Sequence, residues 1–234
     1  MPGVPLITSA ATLSTTSIAP GSLAFALGQG LATGIPGEIL GPSPTSFDGT
    51  SVSIVDSAGN TAAAPLLFVS PWQVTLPSTV APGLAQVKIT AGGSTQTAAN
   101  VKIAGVAPSV FTLNGLGLAA ASAIRVSGGN QITEPAYALN SAGSFSASPI
   151  HMGSGSGQVY LVLFGTGIAP AGTSGTTVTV GGVNAPVLYA GSGGFAGVGQ
   201  VNVQLPAALA GMGNVNVQLT AGGVAANAAQ ITVQ

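Results

Sequence analysis

The sequence of 234 residues contains no cysteine and very few charged residues. Without cysteine, disulfide bonds and thiolate metal sites are excluded. Only 3% of the residues are charged and the net charge is −1, whereas about 25% of the residues in a typical soluble domain are charged. Such a chain offers no basic surface to nucleic acid or to an anionic membrane. Because little electrostatic repulsion separates two copies, the composition favours a packed, self-associating protein.

Long apolar runs are also absent. No run approaches the roughly 20 residues that a transmembrane helix needs, so we expect no membrane span. The first residues show neither the basic region nor the apolar region of a signal peptide, and the signal of an exported protein would lie outside this sequence. The positive mean hydropathy argues against disorder, because disordered chains combine low hydrophobicity with charge.

Turn-forming residues are abundant, with 36 glycines and 16 prolines. Between them lie short alternating apolar segments, including residues 21–31, 50–55, 157–168 and 176–180. Strand-like segments at intervals of about 8–12 residues with Gly, Pro and Asn between them are typical of all-β sandwiches. Helical signal is limited to one possible turn at residues 206–211. The fold class predicted is therefore all-β.

One β unit is written twice in the chain, at residues 66–93 and 187–223. Each copy has an apolar strand, a Gln-containing strand ending in Leu-Pro, a turn, and an alternating strand into Thr-Ala-Gly-Gly. The Gln to Leu-Pro spacing differs by two residues, which keeps side chains on their original faces because the strand period is two. The repeat predicts two tandem Greek-key-like sandwiches, at residues 21–105 and 106–234.

Residues 1–20 are predicted to be an extended, uncharged N-terminal arm. Two alternatives are open for it: the first strand of the first sandwich, or a strand donated to the open sheet edge of a neighbouring subunit. Under the second alternative its apolar side chains form the assembly interface. Those side chains are Val4, Leu6, Ile7, Leu13 and Ile18.

Candidates for catalysis and metal binding are few. His151 is the one imidazole, and Glu134, the acid nearest to it in sequence, lies in a separate predicted strand, so no catalytic triad is predicted. Asp48 and Asp56 bracket one strand and could hold calcium, but calcium sites draw several carboxylates into one loop, so turn and cap roles are favoured. Glu38 stands alone in a loop. We predict no enzyme activity, no cofactor and no metal.

Trp72 is the single tryptophan and heads the Gln-containing strand of the first copy. Its ring could stack on a sugar, or it could fill the core or a subunit contact. Gln73 and Gln200 lie on equivalent strands of the two copies, where a repeated amide predicts a structural hydrogen bond.

A series of motifs covers nearly the whole chain. They are IAPGSL (18–23), SFDGTSVSI (46–54), APLLFVSPWQVTLP (64–77), APSVFTL (107–113), LFGTGI (163–168), TVTVGGVNAPVLYAG (177–191) and GVGQVNVQLP (197–206). In these motifs the sequence resembles a family of secreted bacterial proteins, abundant in Acidobacteria such as Solibacter, that share an uncharacterised C-terminal domain. The resemblance implies an extracellular tandem immunoglobulin-like sandwich without established catalytic residues.

The sequence therefore predicts a non-enzymatic structural protein at the bacterial cell surface. It would be the subunit of a filament or surface layer, joined head to tail to copies of itself, since a heterologous contact that does not close yields an open fibre. Donation of the N-terminal strand is the joining contact that the arm suggests. The alternative is a secreted, adhesin-like module that binds polysaccharide or another surface component.

Overall fold

The computed structural model describes residues 3–33, 37–39, 43–69, 73–75, 79–153 and 157–234. The chain is all-β, with 54% of residues in strands, several antiparallel sheets and no α-helix among the described residues. It forms two compact units. The first comprises Met1–Ala107 with Gly194–Val198, and the second Pro108–Gly193 with Gly199–Gln234.

Ten strands belong to the first unit. They are β1 (Leu6–Ser9), β2 (Leu23–Leu27), β3 (Gly37–Glu38), β4 (Ser46–Phe47), β5 (Thr50–Val55), β6 (Thr61–Ala63), β7 (Leu66–Val69), β8 (Gln73–Thr75), β9 (Gly83–Ala91) and β10 (Ser94–Ile103). One sheet has the order β1-β2-β8-β7-β3 and is called the β1 sheet. The other, the β9 sheet, has the order β10-β9-β5-β4, and β6 also pairs with β5.

Thirteen further strands and two short 3₁₀ helices follow. They are β11 (Ser109–Val110), β12 (Ala121–Ser127), β13 (Asn130–Pro135), β14 (Tyr137–Leu139), β15 (Phe145–Ala147), β16 (Gln158–Thr166), the helix Ala169–Ala171, β17 (Thr176–Val180), β18 (Val183–Ala185), β19 (Val187–Ser192), β20 (Gly199–Gln204), the helix Ala207–Leu209, β21 (Gly213–Ala221), β22 (Val224–Ala225) and β23 (Ala229–Val233). The second 3₁₀ helix confirms the single helical turn predicted near residue 206.

The second unit repeats the two-sheet plan. Its β16 sheet has the order β13-β12-β16-β20-β19, with β11 also on β16, and its β21 sheet has the order β18-β17-β21-β22, with β23 also on β21. The strands β14 and β15 form a separate hairpin. In it the rings of Tyr137 and Phe145 pack edge to face with their centroids 5.7 Å apart.

Each unit has its own apolar core, to which both of its sheets contribute. In the first unit Ala24 and Leu66 from the β1 sheet join Ile54 and Val87 from the β9 sheet in one buried cluster. This sandwich-like packing follows from the alternation within the strands. In β9 and β21 every second side chain is buried, from the third residue of the strand to its last. Full burial of one such side chain contributes about 1.5–3 kcal/mol.

The two halves of the second core are built in the same way. Leu161 and Val201 from the β16 sheet pack in one cluster with Val178 and Val217 from the β21 sheet. The chain therefore carries two self-contained hydrophobic cores, one for each copy of the repeated β unit.

The backbone register confirms that one β unit occurs twice. Thr50 lies opposite Ala91 in the first unit, and Thr176 lies opposite Ala221 in the second. The pairs β7–β8 and β19–β20 each contain a register shift at the corresponding place, between Leu66 and Phe68 and between Val187 and Tyr189. The two copies therefore share the positions of their register shifts as well as their sequence pattern.

Candidate assembly interface

The N-terminal strand β1 is the edge strand of its sheet. Its residues pair antiparallel with β2, from Leu6 opposite Leu27 to Ser9 opposite Ala24. Among the described residues no further strand pairs with the other side of β1. The strand contains no charged residue, no proline and no bulge, the features by which proteins usually protect a sheet edge.

The strand β1 is shorter than the extended arm that the sequence predicts, because a turn follows it. The N–H of Ser9 donates to the carbonyl oxygen of Ser14 at 2.9 Å, and the N–H of Leu13 donates to that of Ser9 at 2.9 Å. Leu13 has φ of 57°, a left-handed conformation that costs about 1–2 kcal/mol for a residue with a Cβ. The prediction of a continuous arm was wrong, because alternation along residues 4–14 does not reveal these local hydrogen bonds.

After the turn the chain crosses to the other sheet of its unit. The N–H of Ile18 donates to the carbonyl oxygen of Lys102 at 3.1 Å, and the N–H of Ala104 donates to that of Ile18 at 2.8 Å. Ile18 thus forms a parallel bridge with Ile103, and Ile150 forms the same bridge with Val233 in the second unit. The N-terminal segment is therefore tied to both sheets of the first unit.

The five residues predicted to form an assembly interface divide into two groups. Ile7 and Ile18 belong to the buried core cluster. Val4, Leu6 and Leu13 are 76%, 50% and 58% exposed. The first group anchors β1 within a unit, and the second is accessible to another molecule. Trp72 lies outside the described residues.

The strand equivalent to β1 in the second unit is covered. The strands β2 and β16 take the same place in their sheets. Ser9 of β1 lies opposite Ala24 of β2, and Ala123 of β12 lies opposite Leu161 of β16, so β1 corresponds to the first part of β12. The outer side of β12 pairs with β13 over six residue pairs, ending at Ser127 opposite Asn130. The difference lies in the chain: β12 runs on through a Gly-Gly turn into β13, whereas β1 ends in a Ser/Thr-rich turn.

Asp56 is a structural carboxylate. It is buried, and its two oxygens accept hydrogen bonds from the N–H groups of Ala58, Asn60 and Ala81 and from the Asn60 amide, at 2.9–3.3 Å. The N–H of Ala81 contributes most to lowering the pKa of Asp56, burial opposes this effect, and the bonds from Asn60 and Ala58 add to the lowering. Since N–H donors occupy the carboxylate, it closes the turn between β5 and β6.

The other acids and the histidine do not gather into a metal site. Asp48, with φ of 44°, and Gly49 form the turn between β4 and β5, and Glu134 is bound to Arg125. His151 is exposed. Among the residues described, no group of three or more metal-ligating side chains occurs.

The register changes which amides correspond between the two copies. Gln73 lies opposite Phe68, and Asn202 lies opposite Tyr189 at the equivalent place. Gln73 therefore corresponds to Asn202 and not to Gln200, so the pairing of the two glutamines in the sequence was wrong. The Gln200 side-chain amide donates to Oδ1 of Asn202 at 2.8 Å. Aligning the two copies from the Leu-Pro at the end of each strand would have shown this correspondence.

Two depressions of the second unit are lined in part by residues 152–153 and 157–159. One has a volume of about 370 Å³ and lies against the β12–β13 hairpin. The other, of about 380 Å³, lies against Pro186 and the segment 204–207. Neither was predicted from the sequence, because each is lined by residues from segments that are far apart in the chain.

Comparisons with known proteins give little further guidance. No family model and no curated protein matches the chain. Among solved structures, surface layer protein SbsC, domains 4–9, is similar at 16% identity with a TM-score of 0.24. The match covers 100% of this chain and 31% of that one. A TM-score of this size supports no argument about fold or function. No helix among the described residues has the length and apolar character needed to cross a membrane.

Proposed function

We propose that this chain is a non-enzymatic structural subunit of an extracellular filament or surface layer, joined head to tail to copies of itself through β1. The observation that carries the proposal is the edge position of β1, which has no charge, proline or bulge and has Val4 and Leu6 exposed at its start. The resemblance to secreted bacterial proteins supports an extracellular location at the cell surface.

The strand order supports an immunoglobulin-like Greek key as the architecture of each unit. In order of appearance, the principal strands of the first unit are β1, β2, β5, β7, β8, β9 and β10. Lettered A to G, they give one sheet of order A-B-E-D and another of order C-F-G, which is the constant-type arrangement. In the second unit β12, β16, β17, β19, β20, β21 and β23 take the same places.

We propose strand donation as the joining contact. In this arrangement Leu6–Ser9 of one copy pairs with β2 of the next in the register seen within the chain, and Ile7 fills the neighbour's core. Exchange of an identical element costs little, because each chain forms with its neighbour the same pairing that it gives up within itself. The turn at residues 10–16 is the hinge, and relief of the left-handed Leu13 favours its opening. An uncharged strand meets no electrostatic barrier to such exchange.

Electron microscopy tests the proposal. Negative-stain images of the full chain should show filaments or sheets. The double variant Val4→Lys/Leu6→Lys should still assemble, because strand donation repeats the β1–β2 pairing present within one chain, whereas charges beside an edge strand block only edge-to-edge pairing. Both side chains are exposed, so the units should fold as before, which circular dichroism checks.

The matched control is Leu116→Lys, at an exposed leucine in the second unit. This variant should assemble like the unchanged chain. Monodisperse particles of the unchanged chain at high concentration would contradict a structural role and favour the surface-binding alternative. Loss of assembly in the double variant would show that copies pair edge to edge at β1 and would contradict strand donation.

A further inference from the structure

The core-facing side of the β16 sheet continues beyond the core at its β13 edge. Arg125 lies opposite Val159 on β16 and opposite Ile132 on β13. Since the strand period is two, Arg125 shares a face with Ala123, and both Ala123 and Val159 belong to the buried cluster. The side chains of this row therefore point to the side on which the β21 sheet packs.

This row is only partly covered. Ile132 is 51% exposed, and the side chains of Arg125 and Glu134 are 30% and 44% exposed. A depression of about 370 Å³ lies here, within the range of small-molecule sites. Its lining residues are Arg125, Val126, Ser127, Asn130, Ile132, Met152, Gly153, Gly157, Gln158 and Val159.

An ion pair lies at this depression. Nη2 of Arg125 donates to Oε1 of Glu134 at 2.7 Å. Nε of Arg125 is buried without a partner among the described residues, and the exposed part of the guanidinium retains further N–H donors. Because Glu134 neutralises the charge of Arg125, the site is polar without attracting either anions or cations strongly.

The second depression makes the site elongated. It shares Met152, Gly153, Gly157, Gln158 and Val159 with the first and adds a further volume of about 380 Å³. Pro186 and Pro206 are among its additional lining residues. The two depressions therefore neighbour each other across these shared residues.

We infer that these depressions form a binding site for a linear, uncharged oligosaccharide. The hydroxyl of Ser127 and the amide of Asn130 can each donate and accept, as the hydroxyls of a sugar do. Ile132 and Met152 offer apolar surface to the C–H faces of the rings. The site lies within the second unit and does not depend on assembly through β1.

Titration followed by two-dimensional amide NMR tests this inference on the full chain. Cellotetraose and maltotetraose are the neutral probes, and trigalacturonate is the charged one. At least one neutral probe, at up to about 10 mM, should shift amide signals of residues 125–132, 152–153 and 157–159. Shifts confined to other regions, no shifts at all, or binding of trigalacturonate alone would overturn the inference.

Two neighbouring substitutions separate a binding role from a structural one. Asn130 lines the depression, whereas Gln131 is on the opposite face of β13, and both are exposed. Asn130→Ala should weaken binding of the active probe about fivefold or more, and Gln131→Ala should leave it unchanged. Equal effects of the two variants, with unfolding temperatures unaltered, would contradict the assigned site.

The ion pair gives a second test. The double variant Arg125→Gln/Glu134→Gln keeps the site neutral and removes the guanidinium that lines it together with the carboxylate that binds it. It should weaken binding of the neutral probe without creating affinity for trigalacturonate. Unchanged affinity in this double variant would also count against the site.

Discussion

Two threonines at equivalent positions of the two units have different hydrogen bonding. Thr50 and Thr176 are both buried and lie opposite Ala91 and Ala221. Oγ1 of Thr176 donates to the carbonyl oxygen of Gly172 at 2.7 Å. Oγ1 of Thr50 is buried without a partner among the described residues. A buried hydroxyl without a partner costs free energy, whereas a satisfied one stabilises.

Substitution of each threonine by the isosteric valine should therefore change the free energy of unfolding in opposite directions. Thr50→Val should raise the free energy of unfolding by about 1 kcal/mol, and Thr176→Val should lower it by about 1 kcal/mol. Urea unfolding of both variants beside the unchanged chain measures this. Effects of the same sign would contradict this difference in hydrogen bonding between the two positions.

The carboxylate of Asp56 makes stability depend on pH. Its pKa in the folded chain is below the ordinary value of 3.8, so the stability it contributes is present above that value and is lost as the pH falls through the folded pKa. Asp56→Asn should lower the unfolding temperature at neutral pH, and the difference should narrow towards pH of about 2. Thermal unfolding followed by circular dichroism at several pH values tests this.

Asp48→Asn is the control for that experiment. Asp48 is exposed in a turn with φ of 44°, a conformation that asparagine also adopts readily. The unfolding temperature of the Asp48→Asn variant should follow that of the unchanged chain at every pH. A gap between Asp56→Asn and the unchanged chain that stays constant down to low pH would contradict the assigned role of the carboxylate.

At the scale of elements, Gly-Gly turns define the long hairpins. Four pairs have both φ angles between 55° and 82°: Gly92 with Gly93, Gly128 with Gly129, Gly181 with Gly182, and Gly222 with Gly223. They join β9 to β10, β12 to β13, β17 to β18 and β21 to β22. Two consecutive residues with positive φ are required by the type I′ turn, whose twist matches that of the strands.

The turn after β21 gives a test of this requirement. A Cβ added to Gly223 would meet nothing within 4 Å, but its φ is 78°, so Gly223→Ala should cost about 1 kcal/mol through the backbone alone. Gly105→Ala also meets nothing within 4 Å and has no positive φ, and it should leave stability unchanged. Equal unfolding free energies for the two variants would contradict the turn assignment.

Strands could be predicted well where turn chemistry is local. The segments 50–55 and 176–180 are the strands β5 and β17, and turn residues follow them at 56–60 and at Gly181 and Gly182. The segment 109–113 forms a strand only at Ser109–Val110, and Thr112 makes an isolated bridge to Ala119. The chain then turns, because the N–H groups of Leu116 and Leu118 donate to Oδ1 of Asn114. The last strand of the second unit is likewise interrupted, with Asn227 bonded to the backbone of Val110.

At the scale of the whole molecule, the sequence indicated the all-β class because periodicity and turn residues are local properties. The candidate sites were harder to predict. Whether Ile7 lies inside or outside depends on pairing with β2, and alternation alone does not reveal the partner. The depression around Arg125 exists because β13 extends beyond the core, and no residue pattern encodes how far an opposite sheet reaches.

The absence of cysteine allows a direct measurement of strand donation. Leu6 on β1 lies opposite Leu27 on β2, and residues opposite each other in an antiparallel pair have Cα atoms about 4.5–5.5 Å apart, within the range of a disulfide. Two chains, one with Leu6→Cys and one with Leu27→Cys, are unfolded together, refolded and oxidised. Each variant treated alone is the control.

If β1 is donated between copies, the mixture should yield a covalent dimer containing one chain of each kind, and non-reducing electrophoresis will detect it. The double variant Leu6→Cys/Leu27→Cys should then give a ladder of linked chains. A mixture without that dimer, together with a double variant that closes its disulfide only within single chains, would contradict assembly by strand donation.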